Sequence, residues 1–156
     1  MQIYNYLLNQ YKIIILTYNF IDMIQRIQSV YMFLLLVINF ILIISIDSDP
    51  TSSLPDSYFG YYRIYITDYF FSEIISVVIL INIFLFQYSK IQLVVLKLIG
   101  LLLTFGLFNL FDERDFSVSF LDPGLIYFIA SFILIGLSHK AINKDQAIIK
   151  SSNRLR

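Results

Sequence analysis

The sequence has no cysteine, which excludes disulfides, thiolate metal sites, iron–sulfur clusters and cysteine nucleophiles. It has a single histidine, His139, so a bis-histidine haem site within this chain is excluded too. Tryptophan is absent. The sequence carries no P-loop, G-x-S-x-G, H-E-x-x-H or dinucleotide glycine fingerprint. No internal or inverted repeat is visible, which weakens the case for a transporter. Basic residues gather only in a short C-terminal tail, so no nucleic-acid partner is expected. Charge is scarce as well: Asp, Glu, Lys and Arg supply 14 % of the 156 residues, against about 25 % in soluble proteins.

What the chain has in excess is apolar surface. Hydrophobic residues make up 58 %, more than a soluble domain of this size can hide. A helix needs about 17–25 apolar residues to cross a hydrocarbon core. Four stretches qualify: Val30 to Ile46, Tyr69 to Gln87, Leu93 to Phe111 and Leu121 to Ser138. Each is apolar around its whole circumference, as lipid requires, and too long and too unalternating for a barrel strand. Asp122-Pro123 reads as an N-cap followed by proline at the first helical position. Ser89-Lys90 marks a short link that makes runs two and three a tight hairpin. Ser138-His139-Lys140 suits the C-terminal end of run four.

Residues 1–22 lack the basic start and cleavage pattern of a signal peptide, and Ile13 to Ile21 is too short to span. Two readings stand: an interfacial segment, or upstream sequence before a natural start at Met23.

Sorting charges by loop gives an orientation. The N-terminus, the link between runs two and three, and the tail hold nine basic residues (Lys12, Arg26, Lys90, Lys97, Lys140, Lys144, Lys150, Arg154, Arg156) against Asp22 and Asp145. The other loops and the adjoining helix end hold nine acidic residues against Arg63 and Arg114. A formal net charge of zero thus hides a split of +7 against −7. The positive-inside rule then places both termini in the cytoplasm.

At Met23-Ile24-Gln25-Arg26-Ile27-Gln28-Ser29-Val30-Tyr31, and again at Ala141-Ile142-Asn143-Lys144-Asp145 continuing through Ile149-Lys150-Ser151 to Arg154-Leu155-Arg156, the sequence resembles the two ends of domain-of-unknown-function family 4293, found in Bacteroidota. Asn143, Gln146 and Asn153 depart from that pattern where charged residues are expected. The resemblance covers residues 23–156. It implies a four-helix inner-membrane protein starting at Met23, and it brings no activity with it.

Polar groups inside lipid need a reason. Asn39 and Asn82 each sit near the middle of an oppositely directed run, so a hydrogen bond between them is expected. Glu73 falls at a helix N-terminus, where the dipole favours a carboxylate. Lys97 is within snorkelling reach of the inner headgroups. Asp112, Glu113, Asp115 and Asp122 form an acidic outer loop, but Arg114 interrupts it and the spacing of a calcium loop is missing. His139 reads as an interface residue.

The long outer loop, Asp47 to Asp68, opens with turn formers and then turns aromatic at Tyr58, Phe59, Tyr61, Tyr62 and Tyr65. A short hairpin turning at Gly60, or one strand on the membrane, fits Tyr58 to Thr67. The tyrosines suit an interfacial apron or a docking surface for a partner. The basic tail (Lys140, Lys144, Lys150, Arg154, Arg156) reads as a helix that meets anionic lipid or a partner.

These readings add up to an all-α membrane protein: a four-transmembrane-helix bundle in a bacterial inner membrane with both termini cytoplasmic. An extension (1–22), a four-span domain (23–140) and a cytoplasmic tail (141–156) make up the chain. The expected role is non-enzymatic and without cofactor or metal: an accessory or assembly subunit working through lipid and protein contacts, in a larger complex or by self-association. The alternative is a small transporter or lipid-handling protein that uses Asn39, Asn82 and Glu73.

Overall fold

A computed structural model describes residues 27–47, 53–55, 57–112 and 114–153. The readings of residues 1–22, Met23, Arg154 and Arg156 lie outside these, as does the Lys150 side chain. The described residues are mostly helical and include no strand. It runs α1 (Ile27–Asp47), α2 (Tyr62–Thr67), α3 (Phe71–Phe84) extended by a 3-10 turn (Leu85–Gln87), α4 (Ser89–Phe111), α5 (Phe116–Phe120) and α6 (Pro123–Asn153).

Three stretches are long and apolar enough to cross a membrane: Ile27–Ile46, Ser89–Phe111 and Pro123–Ala147. Phe71–Gln87 is a fourth, shorter apolar helical stretch. The three long helices and the shorter α3 pack as neighbours in a closed cycle: α1 on α3, α3 on α4, α4 on α6, and α6 back on α1. A single residue, Tyr88, separates the 3-10 turn from α4, so α3 and α4 form the expected hairpin, but Ser89 and Lys90, expected in the link, are the first residues of α4.

Large apolar side chains such as Phe33, Ile44, Val94, Leu101, Phe108 and Ile133 face outward, while Gln28, Asn39, Ser76, Asn82, Gln92 and Ser131 are buried. Apolar side chains thus cover the outward faces as well as most of the core, as suits helices whose solvent is as apolar as their interior. The buried positions follow a heptad seam. In α1 they include Gln28, Met32, Leu35, Asn39, Leu42 and Ile46; in α4 they are Gln92, Leu96, Ile99, Leu103, Gly106 and Leu110. Alternating steps of four and three are the signature of left-handed, knobs-into-holes packing.

Two sequence expectations are corrected. The segment Tyr58 to Thr67 forms no hairpin and no strand. Phe59 (φ 68°) and Gly60 (φ 52°) turn the chain in the left-handed region, and α2 follows. Tyr62 and Ile66 are buried while Ile64 between them is exposed, which is a helix period and not a strand's alternation. Nor is Ser138-His139-Lys140 a helix C-terminus: α6 continues unbroken to Asn153, with the tail helical as expected. Ser138, Ala141 and Ile142 are buried there, so packing continues past the apolar run and holds the helix together.

Candidate functional site

At the end of the bundle that carries the α1–α3 and α4–α6 connections, the end the charge split predicts to be outer, Asp122 ties three chain segments together. Its carboxylate accepts from the Phe59 amide at 3.0 Å, from the Gly124 amide at 2.7 Å and from Arg114 Nη1 at 2.8 Å. The Gly124 contact is the N-cap bond anticipated from Asp122-Pro123. The Arg114 guanidinium also donates to the Ser57 carbonyl. Gly60 is required beneath it: a Cβ there would stand 3.0 Å from the Leu110 carbonyl oxygen and 3.3 Å from the Arg114 side chain, at a φ that L residues rarely adopt. From α2, Arg63 donates to the carbonyls of Leu54 and Pro55 at 3.1 and 2.8 Å. The outer loop is therefore a folded cap clamped to the bundle.

The cap inserts Tyr62 into the core. Its ring is fully buried, 5.1 Å from the Phe128 ring and 6.0 Å from that of Phe71. It fits because α4 carries glycine at 106, where an added Cβ would lie 2.7 Å from Tyr62 Cε2 and 3.0 Å from Phe128. Burial pushes the Tyr62 phenol up to about 12, so it serves as a neutral hydroxyl. Tyr65 stacks edge-on against Phe105 at 5.3 Å. Of the five loop aromatics, Phe59 and Tyr62 are buried, Tyr58 and Tyr65 are half-buried, and Tyr61 is exposed. They do not form one outward surface.

Two polar layers cross the core. In the outer one, Tyr127 donates from its hydroxyl to Asn39 Oδ1 at 2.9 Å, joining α6 to α1, and Asn39 Nδ2 donates to the Leu35 carbonyl at 3.2 Å. Ser72, Ser76 and Ser131 are buried in this half. In the inner one, Gln92 Nε2 donates to the Asn82 carbonyl at 3.2 Å, and Gln28 Nε2 to Gln92 Oε1 at 3.4 Å. Asn82 Nδ2 lies 3.4 Å from Met32 Sδ. The expected Asn39–Asn82 bond is therefore not made. Asn82 sits level with Met32, seven residues from Asn39 on α1, about 10 Å along the helix.

A family model described as a domain of unknown function (DUF4293) matches residues 24–155. The chain belongs to that family. No curated protein and no solved structure matches it.

In this DUF4293 chain the remaining predicted residues fall in separate places. Glu73 occupies the first turn of α3, as its dipole suggests, with one carboxylate oxygen buried and unpartnered. Lys97 is exposed on α4. Glu113 lies outside the described residues, and the described members of the acidic loop do not converge: Asp122 is turned inward onto Arg114, while Asp112 and Asp115 are exposed. No cluster of three metal-ligating side chains occurs among the described residues. On the continuation of α6, Lys140, Asn143, Lys144 and Ala147 are all exposed and share one face by their spacing, opposite buried Ala141 and Ile142. Asn143 Nδ2 lies 3.1 Å from His139 Nδ1.

Sequence reasoning missed Gln28, Gln92, Tyr127 and the serines Ser72, Ser76 and Ser131. Their signal was spacing. Ser72 and Ser76, and likewise Tyr127 and Ser131, stand four residues apart in otherwise apolar helices, so each pair marks one face.

Proposed function

We propose that this DUF4293 chain crosses a bacterial inner membrane four times, with both termini in the cytoplasm, and acts by contact as an accessory or assembly subunit of a larger envelope complex. The observation that carries the reading is α6. It is 31 residues long, about 46 Å by the helix rise, and so outlasts a hydrocarbon core of about 30 Å. Its continuation sets Lys140 and Lys144 on one exposed face of an unbroken helix. Such an extension offers a rigid, cationic element to an acidic partner or to anionic headgroups. The charge split and the single-residue link at Tyr88 support the even number of spans.

The test is a gentle-detergent pull-down from the native membrane, read by native mass. A stoichiometric partner that is lost on Lys140→Glu/Lys144→Glu, with the protein still folded, is the expected result. A lone monomer carrying a solute would overturn the reading in favour of a small transporter or lipid-handling protein. Two observations favour that second reading: Asn82 Oδ1 and one Glu73 oxygen are buried without a partner. Under it, Asn82→Leu abolishes solute movement; under the contact reading, partner capture survives that change.

A further inference from the structure

The outer polar layer contains more hydrogen-bonding capacity than the chain itself satisfies. The Tyr62 hydroxyl from α2, Ser72 and Ser76 from α3, and Ser131 from α6 are buried with no hydrogen-bond partner. They are neighbours close enough to interact, Tyr62 with Ser72 and Tyr127, and Tyr127 with Ser131, but the Tyr62, Ser72 and Ser131 hydroxyls meet no partner there in good hydrogen-bond geometry. Ser72 and Ser76 are one turn apart on the buried face of α3. Glu73, with its own buried oxygen, interacts electrostatically with Tyr62 at the edge of the group.

Buried polar atoms are almost always paired, and those that are not require an explanation such as a bound water or ion. The demand is sharper in a membrane, where lipid offers no replacement donors or acceptors. We propose that this layer is a binding site for ordered water, held among Tyr62, Ser72, Ser76, Tyr127 and Ser131 beneath the α2 cap. The chemistry of the groups selects the ligand. All five are neutral hydroxyls able to donate and accept, which matches a small neutral molecule that does both. A buried water makes about three hydrogen bonds, and three elements supply them here. The cap closes the site from outside, since Tyr62 both roofs the layer and contributes a hydroxyl to it. The inference is independent of whether the protein acts by contact or by transport.

The intact protein in lipid nanodiscs provides the test, through NMR cross-peaks between water and backbone amides. Amides of Ser72, Ser76 and Ser131 are expected to show water cross-peaks with the sign of long-lived water. Those of Ile79, Ile99 and Leu103, equally buried in the apolar layer, are expected to show none. Ser131→Ala should then weaken the signals at Ser72 and Ser76 while the fold is retained. Absence of cross-peaks at all three serines would overturn the proposal: the Ser76 and Ser131 hydroxyls would then be satisfied by the carbonyls of Ser72 and Tyr127, four residues back in their own helices.

Discussion

The Tyr127 hydroxyl donates to Asn39 Oδ1 at 2.9 Å across the buried interface between α6 and α1. Interhelical hydrogen bonds in membranes contribute about 0.6–2 kcal/mol, so Tyr127→Phe should destabilise the protein by about that amount. Asn39→Leu should cost a similar amount by stranding the phenol. The double variant should cost less than the sum of the two, because neither polar partner is left behind. Reversible unfolding in mixed micelles measures the cycle. Full additivity would mean that the two residues do not interact.

Asp122 serves three donors at once, and its side chain is 2 % exposed. Asp122→Ala removes the cap of α6 and leaves the Arg114 guanidinium and the Phe59 amide without their acceptor. The expected loss is about 3 kcal/mol or more, as for breaking one side of a buried pair. The outer cap should open first. Limited proteolysis from the outer side should therefore cut near Ser57 in the variant and leave the parent intact.

Gly106 and Gly136 make a controlled comparison. A Cβ at Gly106 meets Tyr62 at 2.7 Å and Phe128 at 3.0 Å, while one at Gly136 meets nothing within 4 Å. Gly106→Ala should destabilise by about 1–3 kcal/mol through overpacking. Gly136→Ala should be neutral or stabilising, because alanine favours the helix by about 1 kcal/mol. Thermal unfolding in detergent separates the two. Tyr62→Leu should relieve part of the Gly106→Ala penalty by shrinking the facing side chain.

The buried Tyr62 phenol, at about 12, predicts an alkaline limit to the cap. A free tyrosine ionises near about 10. The folded state holds this proton more tightly, so the stability it contributes is present in full below about pH 10 and lost as pH rises through about 12. The difference in phenolate absorbance between the parent and Tyr62→Phe should appear near pH 12 and not near pH 10. A difference centred at pH 10 would show that the ring is solvated.

The chain's hydropathy made most of its helices legible and hid which faces meet. Run one, Val30 to Ile46, became Ile27–Asp47, and Leu93 to Phe111 became Ser89–Phe111. A helix that is apolar all round carries no hydrophobic stripe to mark its buried side. Polar and small residues mark that side instead, because lipid rejects the polar ones and close packing uses the small. Gln28 and Asn39 lie on the α1 seam, and Gln92 and Gly106 on that of α4. The Asn39–Asn82 pairing failed because equal distance from the middle of a run is not equal depth: the partner levels were set by Met32 and Tyr127. The loop tyrosines looked like an apron because composition reports an affinity for interfaces. It could not report that glycine at 106 opens a place for Tyr62 on a helix more than forty residues away. The Arg114–Asp122 clamp was hidden for a related reason. Within an acidic stretch that reads as solvated, nothing distinguishes the one carboxylate that turns inward.

The proposed topology, four spans with both termini in the cytoplasm, would place the cationic face of α6 where a cytoplasmic partner can reach it. The chain has no cysteine of its own, so single cysteines report without background. Ser57→Cys and Asp115→Cys should react with an impermeant maleimide added outside the inner membrane. Tyr88→Cys and Ala147→Cys should react only after that membrane is opened. If Tyr88→Cys reacted from the same side as Ser57→Cys, the Phe71–Gln87 stretch would not cross the membrane. The span count would fall to three, and the two termini would lie on opposite sides.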